Sequence, residues 1–112
     1  VHSFIIDIYS IITFLSDISI IQMLQIEILV SGRVQGVNFR NYVYRKALQL
    51  SLNGYVRNLY DGRVEILAQG ERDDIEALID FVRSSPGLSF VTDLDINWRE
   101  PSKKFDNFRI SY

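Results

Sequence analysis

The 112-residue sequence has no cysteine, two prolines and a single histidine, His2. Without cysteine there is no disulfide, no thiolate nucleophile and no cysteine-based zinc or iron–sulfur site, and the redox compartment stays open. One histidine near the start excludes histidine metal clusters and any serine–histidine or cysteine–histidine device in the rest of the chain. An enzyme built on this chain is therefore expected to work without metal ligands or a histidine base. Internal repeats, low-complexity tracts and proline-rich linkers are also missing after residue 22. The length suits one domain of the usual size of about 100 to 150 residues.

A surplus of positive charge is missing as well. Twelve Lys and Arg stand against fourteen Asp and Glu, a net charge of −2. This balance argues against broad nonspecific binding to nucleic acid, so any anion needs a local site. With 47% hydrophobic and 23% charged residues, the chain reads as globular.

Residues 1–22 differ from the remainder: they are rich in Ile and lack Lys, Arg, Gly and Pro. Phe4, Ile5, Ile8, Ile11, Ile12, Leu15 and Ile18 follow helical spacing, with Ser3, Asp7, Ser10 and Asp17 opposite, which fits an amphipathic helix. The β-branched content fits a strand almost as well. A secretory signal wants a basic start and a membrane span does not want Asp7 and Asp17, so neither is expected. The only methionine, Met23, stands just before the first clean strand pattern. The expected division is an apolar extension over 1–22 and a functional domain over 23–112.

Leu24, Ile26, Ile28 and Val30 alternate with polar residues as a half-buried strand does. Phe39, Tyr42, Val43, Ala47 and Leu50 mark a helical stripe, and Asn53-Gly54 is read as its stop. Tyr55 to Leu59 and Arg63 to Gln69 are strand candidates joined through Tyr60-Asp61-Gly62, a hairpin signal. Asp73 with Glu76 suggests a capping box for a second helix carrying Ile75, Leu78, Ile79 and Val82 and closed by Ser85-Pro86-Gly87. Phe90 to Trp98 and Phe108 to Tyr112 supply two more strands. The order βαββαβ with a short terminal strand predicts an α+β ferredoxin-like sandwich, two helices on one face of a mixed, mainly antiparallel sheet.

Between Glu27 and Asp61 there is no acidic residue, while Arg33, Arg40, Arg45, Lys46 and Arg57 all lie there. Within this window, Gly32-Arg33-Val34-Gln35-Gly36-Val37-Asn38-Phe39-Arg40 leads from a strand into a helix. Such a connection presents unpaired backbone N–H groups and the positive end of the helix dipole, the geometry that cradles phosphate. Arg40 falls in the first helical turn, where a cation is misplaced unless an anion joins it. On these residues alone, a phosphate cradle and an ordinary solvated helix start weigh about equally. Arg33, Arg45, Lys46 and Arg57 read as surface charges. Asn58 ends a strand where asparagine is depleted: it suits a turn, and its carboxamide also suits holding a water for attack.

The segments GRVQGVNFR at Gly32 to Arg40 and GYVRNLYDGRVEI at Gly54 to Ile66 closely resemble the two signature motifs of acylphosphatases, at the expected separation. Phe108 to Tyr112 is similar to that family's C-terminal strand. The resemblance covers about Met23 to Tyr112. It implies hydrolysis of acyl phosphates to a carboxylate and inorganic phosphate by a metal-free ferredoxin-like domain. Arg40 matches the phosphate-binding arginine and Asn58 the water-orienting asparagine, both catalytic. Arg33, Val34, Gln35, Gly36, Val37 and Asn38 form the phosphate-binding loop. The expected partners are a small acyl phosphate and inorganic phosphate, with no nucleic acid and no membrane, for a cytoplasmic monomer. Dimer or membrane-surface contact through 1–22 is the alternative use of the extension. An RNA-binding module and a phosphate-sensing or carbamoyl-phosphate-handling module of a larger assembly are the alternative readings of the domain.

Overall fold

The computed structural model describes residues 8–12 and 23–112. Residues 8–12 form a helical turn with Ile8, Ile11 and Ile12 exposed. The rest of the reading of 1–22 as helix or strand lies outside the described residues.

The domain runs β1 (Leu24–Arg33), α1 (Phe39–Gln49), β2 (Asn53–Asn58), β3 (Val64–Gly70), α2 (Arg72–Arg83), β4 (Phe90–Arg99) and β5 (Phe108–Ser111). The strands lie in the order β4-β1-β3-β2-β5. Every neighbouring pair is antiparallel except β2 and β5, which run parallel. This is the ferredoxin-like arrangement that the order of elements predicts.

Alternation decides which face is buried. Ile26, Ile28 and Val30 of β1, Val56 of β2 and Val64, Ile66 and Ala68 of β3 are fully buried. Phe39, Val43 and Ala47 of α1 and Ile75, Leu78, Ile79 and Val82 of α2 recur at helical spacing and close over them in one cluster. Each large side chain so buried is worth about 1.5 to 3 kcal/mol relative to exposure, which makes this layer the main source of stability. The opposite face carries Gln25 and Glu27 of β1, Tyr55 and Arg57 of β2, and Glu65 and Gln69 of β3, placed together by the strand register.

Two expectations about chain punctuation need correction. Asn53-Gly54 does not stop α1, because both residues belong to β2. The helix ends in a Schellman motif: Ser51 takes the left-handed conformation with φ 56°, its N–H bonds Leu48 O at 3.1 Å, and Leu52 N–H bonds Ala47 O at 2.9 Å. Gly54 serves a close approach instead. Its φ is +139°, and a Cβ there would stand 1.9 Å from Leu67 O. The capping box at Asp73 does not form either: Glu71 occupies the N-cap without a side-chain bond, and Asp73 and Asp74 lie inside the first turn. There they act on the helix dipole rather than on the cap.

Candidate active site

The sheet register brings four separate segments to one end of the domain. Val30, the last residue of β1 paired with β3, lies opposite Val64, which also pairs with Asn58, while β5 ends beside Arg57. The loop after β1, the start of α1, the β2–β3 hairpin and the end of β5 thus meet. Between them lies a cavity of about 390 Å³ lined by Val34, Gly36, Asn38, Phe39, Arg40, Asn41, Asn58, Ile110 and Tyr112.

The loop is folded to present donors. Gly36 and Asn38 both have positive φ, 74° and 64°, which turns successive peptide units and gathers their N–H groups into a concave anion-binding nest. Among the described residues, no hydrogen bond engages the N–H groups of Gln35 to Asn38. Asn38 is the N-cap of α1 without a side-chain cap bond, and no acidic residue sits in the first turn. The positive end of the α1 dipole therefore opens into the cavity uncompensated. Buried Phe39 pins that first turn to the core.

Arg40 and Asn58, eighteen residues apart in sequence, line the same space. Arg40 takes part in none of the ion pairs among the described residues. Its guanidinium stands 4.9 Å from the centre of the Tyr112 ring, a cation–π contact that limits its swing. Asn58 Oδ1 is buried and has no hydrogen-bond partner among the described residues. An acceptor in that state is unfavourable by about 1 to 3 kcal/mol unless something donates to it, and Asn58 is part of the cavity lining. A bound anion would face a guanidinium, a helix N-terminus and peptide N–H groups, and a water beside it would find an amide acceptor.

The remaining predicted loop residues divide. Val34, Gly36 and Asn38 line the cavity, whereas Gln35 and Val37 do not. Val37 packs against the core. Arg33 is the exposed last residue of β1, opposite Phe90. Asn41, Ile110 and Tyr112 are part of the lining that sequence reasoning did not assign. The alternation of Phe108, Ile110 and Tyr112 signals a shared face, but nothing in the sequence says that β5 lies parallel to β2.

The groups with shifted titration lie outside the cavity. Burial, followed by the bond its hydroxyl donates to Glu65 at 2.9 Å, pushes the Tyr55 phenol up. The bond from Arg57 Nε to the same Glu65 oxygen, 2.8 Å, pushes Arg57 up. Asp61 is held below the usual carboxylate range by the side-chain bond it accepts from Arg63. Among the described residues, no group of three His, Cys, Asp or Glu is placed to hold a metal ion.

Comparison with known proteins agrees with this geometry. The family model for Acylphosphatase matches residues 26–110. An acylphosphatase of Methylococcus capsulatus is 43% identical over 88 residues, covering 79% of this chain and 96% of the relative. One of Methanococcoides burtonii is 46% identical over 84 residues, covering 75% and 88%. The crystal structure of the acylphosphatase from Bacillus subtilis superposes with a TM-score of 0.77 at 39% identity, covering 80% of this chain and 99% of that one. Cavity, fold and sequence converge, and the chain belongs to the acylphosphatase family.

Proposed function

We propose that Arg40 and the N–H groups of the loop from Arg33 to Asn38 grip the phosphoryl group of an acyl phosphate, and that Asn58 orients the attacking water. The family's reaction hydrolyses the carboxyl–phosphate bond to a carboxylate and inorganic phosphate. The observation that carries the assignment is that Asn58, whose buried Oδ1 has no partner among the described residues, lines the same cavity as Arg40.

The carboxylate is a good leaving group, so catalysis consists mainly of positioning and of stabilising charge on the phosphoryl oxygens. Asn58 Oδ1 accepts one hydrogen bond from the water and aims its oxygen at phosphorus. The new phosphorus–oxygen bond forms as the bond to the acyl oxygen breaks, and the water's proton passes to a phosphoryl oxygen of the substrate. No side-chain base is needed, in keeping with a cavity lining that holds neither histidine nor carboxylate. Arg40 and the nest N–H groups meet the charge that spreads over the phosphoryl oxygens.

The domain is assigned to residues 23–112, with 1–22 an extension of separate role; the family match over 26–110 supports this boundary. A small-molecule substrate fits a monomer acting in the cytoplasm without metal or cofactor. No helix of the described residues is long and apolar enough to cross a membrane. Glu27 and Glu65 on the sheet face opposite the helices do not suit a nucleic-acid backbone.

The test is phosphate release from a panel of acyl phosphates, with and without a chelator. Removal of a preorganised group of this kind lowers kcat by about 10² to 10³. Asn58→Ala should show that loss with little change in KM, and Arg40→Ala should lose both turnover and affinity for inorganic phosphate. Hydrolysis that stops with the chelator, or an Asn58→Ala protein with the parental rate, would overturn the assignment.

A further inference from the structure

Gln35 lies in the phosphate loop, yet its side chain turns away from the cavity and toward the β2–β3 hairpin. Its Nε2 donates to two backbone carbonyls, Leu59 O at 2.8 Å and Arg63 O at 2.9 Å. These residues close the hairpin: Leu59 N–H also bonds Arg63 O at 2.8 Å. Leu59 directly follows Asn58, the last residue of β2. Beyond the Asn58–Val64 pair the turn leaves the ladder, and the Asp61–Arg63 contacts fall within the turn itself. Gln35 is the side chain whose hydrogen bonds join the loop to the hairpin across 24 and 28 residues of sequence.

Given the proposed roles of Arg40 and Asn58, on which this inference rests, hydrolysis needs two separate chain segments in fixed relation. One holds the phosphoryl group and the other holds the water. A functional constellation of this kind tolerates displacements of only about 0.5 Å, and a misplacement of about 1 Å can cost on the order of 10²-fold in rate. Both N–H donors of the Gln35 carboxamide are occupied by the hairpin, which leaves its amide no rotational freedom and fixes Leu59 relative to Gly36. We propose that Gln35 is a positioning residue that sets the Asn58 carboxamide, and thus the attacking water, against the phosphate cradle. Its side chain touches neither substrate nor water.

The full chain carrying Gln35→Met or Gln35→Glu tests this. Methionine removes both donors at similar length, and glutamate keeps the shape while presenting a carboxylate to two carbonyls. Thermal melts identify which variant remains folded. Steady-state hydrolysis of acetyl phosphate should show kcat lowered about 10- to 100-fold, as for other groups that orient a reacting residue from behind. Competitive inhibition by inorganic phosphate should change less than about threefold, because Arg40 and the loop N–H groups remain. In an Asn58→Ala background the same substitution should cost less than about twofold, since there is no water holder left to position.

Three results would overturn the proposal: a parental kcat in the Gln35 variants, a full further loss in the Asn58→Ala background, or weakening of phosphate binding that equals the loss in kcat. A parental rate in Asn58→Ala itself would remove the role of Asn58 and this inference with it. Loss in Asn58→Ala with a parental Gln35→Met would remove the positioning role alone.

Discussion

Two carboxamides with buried atoms sit at opposite ends of the β2–β3 hairpin and are treated in opposite ways. Gln69, fully buried near the end of β3, has every side satisfied. Its Nε2 donates to Gln25 Oε1 at 2.9 Å and to Lys103 O, and its Oε1 accepts the Phe105 N–H at 3.0 Å. Asn58, at the end of β2, keeps a buried Oδ1 without a partner. The same functional group is thus a staple at one end, fastening the loop before β5 across the sheet, and an open acceptor at the other. Leaving a buried polar atom unpaired destabilises a fold by about 1 to 3 kcal/mol, so it persists where something outside the fold uses it.

The sharpest way to break this comparison is to remove each amide and read activity and stability together. Asn58→Ala is expected to lower kcat by about 10² to 10³, equivalent to roughly 2.7 to 4 kcal/mol of transition-state stabilisation. Its melting temperature should hold or rise, because the substitution removes an unsatisfied group. A clear fall in melting temperature would mean that Asn58 is structural. Gln69→Leu should behave in reverse. It leaves Gln25 Oε1 and the Phe105 N–H without their partner, and denaturant unfolding should show a loss of roughly 2 to 3 kcal/mol. Its kcat should stay within about twofold of the parent, since the proposed catalytic groups lie at the other end. Loss of turnover without loss of stability would erase the distinction.

The contrast also marks what the sequence discloses. Patterns that depend on neighbours in the chain were legible: the alternation of Ile26, Ile28 and Val30, the stripe of Ile75, Leu78, Ile79 and Val82, and the acid-free window that isolates Arg40. Arg40, Asn58, Val34, Gly36 and Asn38 do line one cavity. Asn53-Gly54 misled because the dipeptide suits a turn, while the constraint on Gly54 is the Leu67 carbonyl opposite, a contact made only in the sheet. The direction of the Gln35 side chain, the partners of Gln69 and the placing of Tyr112 over Arg40 have the same cause. Each is a contact between segments far apart in sequence, and local pattern carries no information about it.

The smallest effect comes from a third polar group, on the turn beyond Asn58. Asp61 accepts the Arg63 N–H at 3.1 Å and the Arg63 Nε at 2.9 Å, and the side-chain bond holds its pKa below the usual carboxylate value. Folding therefore favours the carboxylate. Its contribution is complete above the unfolded-state pKa and disappears as the pH falls through the lowered folded-state value. Asp61→Asn should melt slightly below the parent at neutral pH, and the gap should close on acidification through that range. Turnover at neutral pH should be unchanged, because Gln35 still holds the Arg63 carbonyl. A gap that persisted unaltered into acid would assign the turn's stability to backbone shape rather than to charge. A loss of turnover would show that the turn governs Asn58 through Asp61 as well as through Gln35. The expected result instead leaves a satisfied polar group close to an unsatisfied one at the same end of the sheet. What distinguishes Asn58 is then an unpartnered amide at the cavity lining, not its place at the end of a strand.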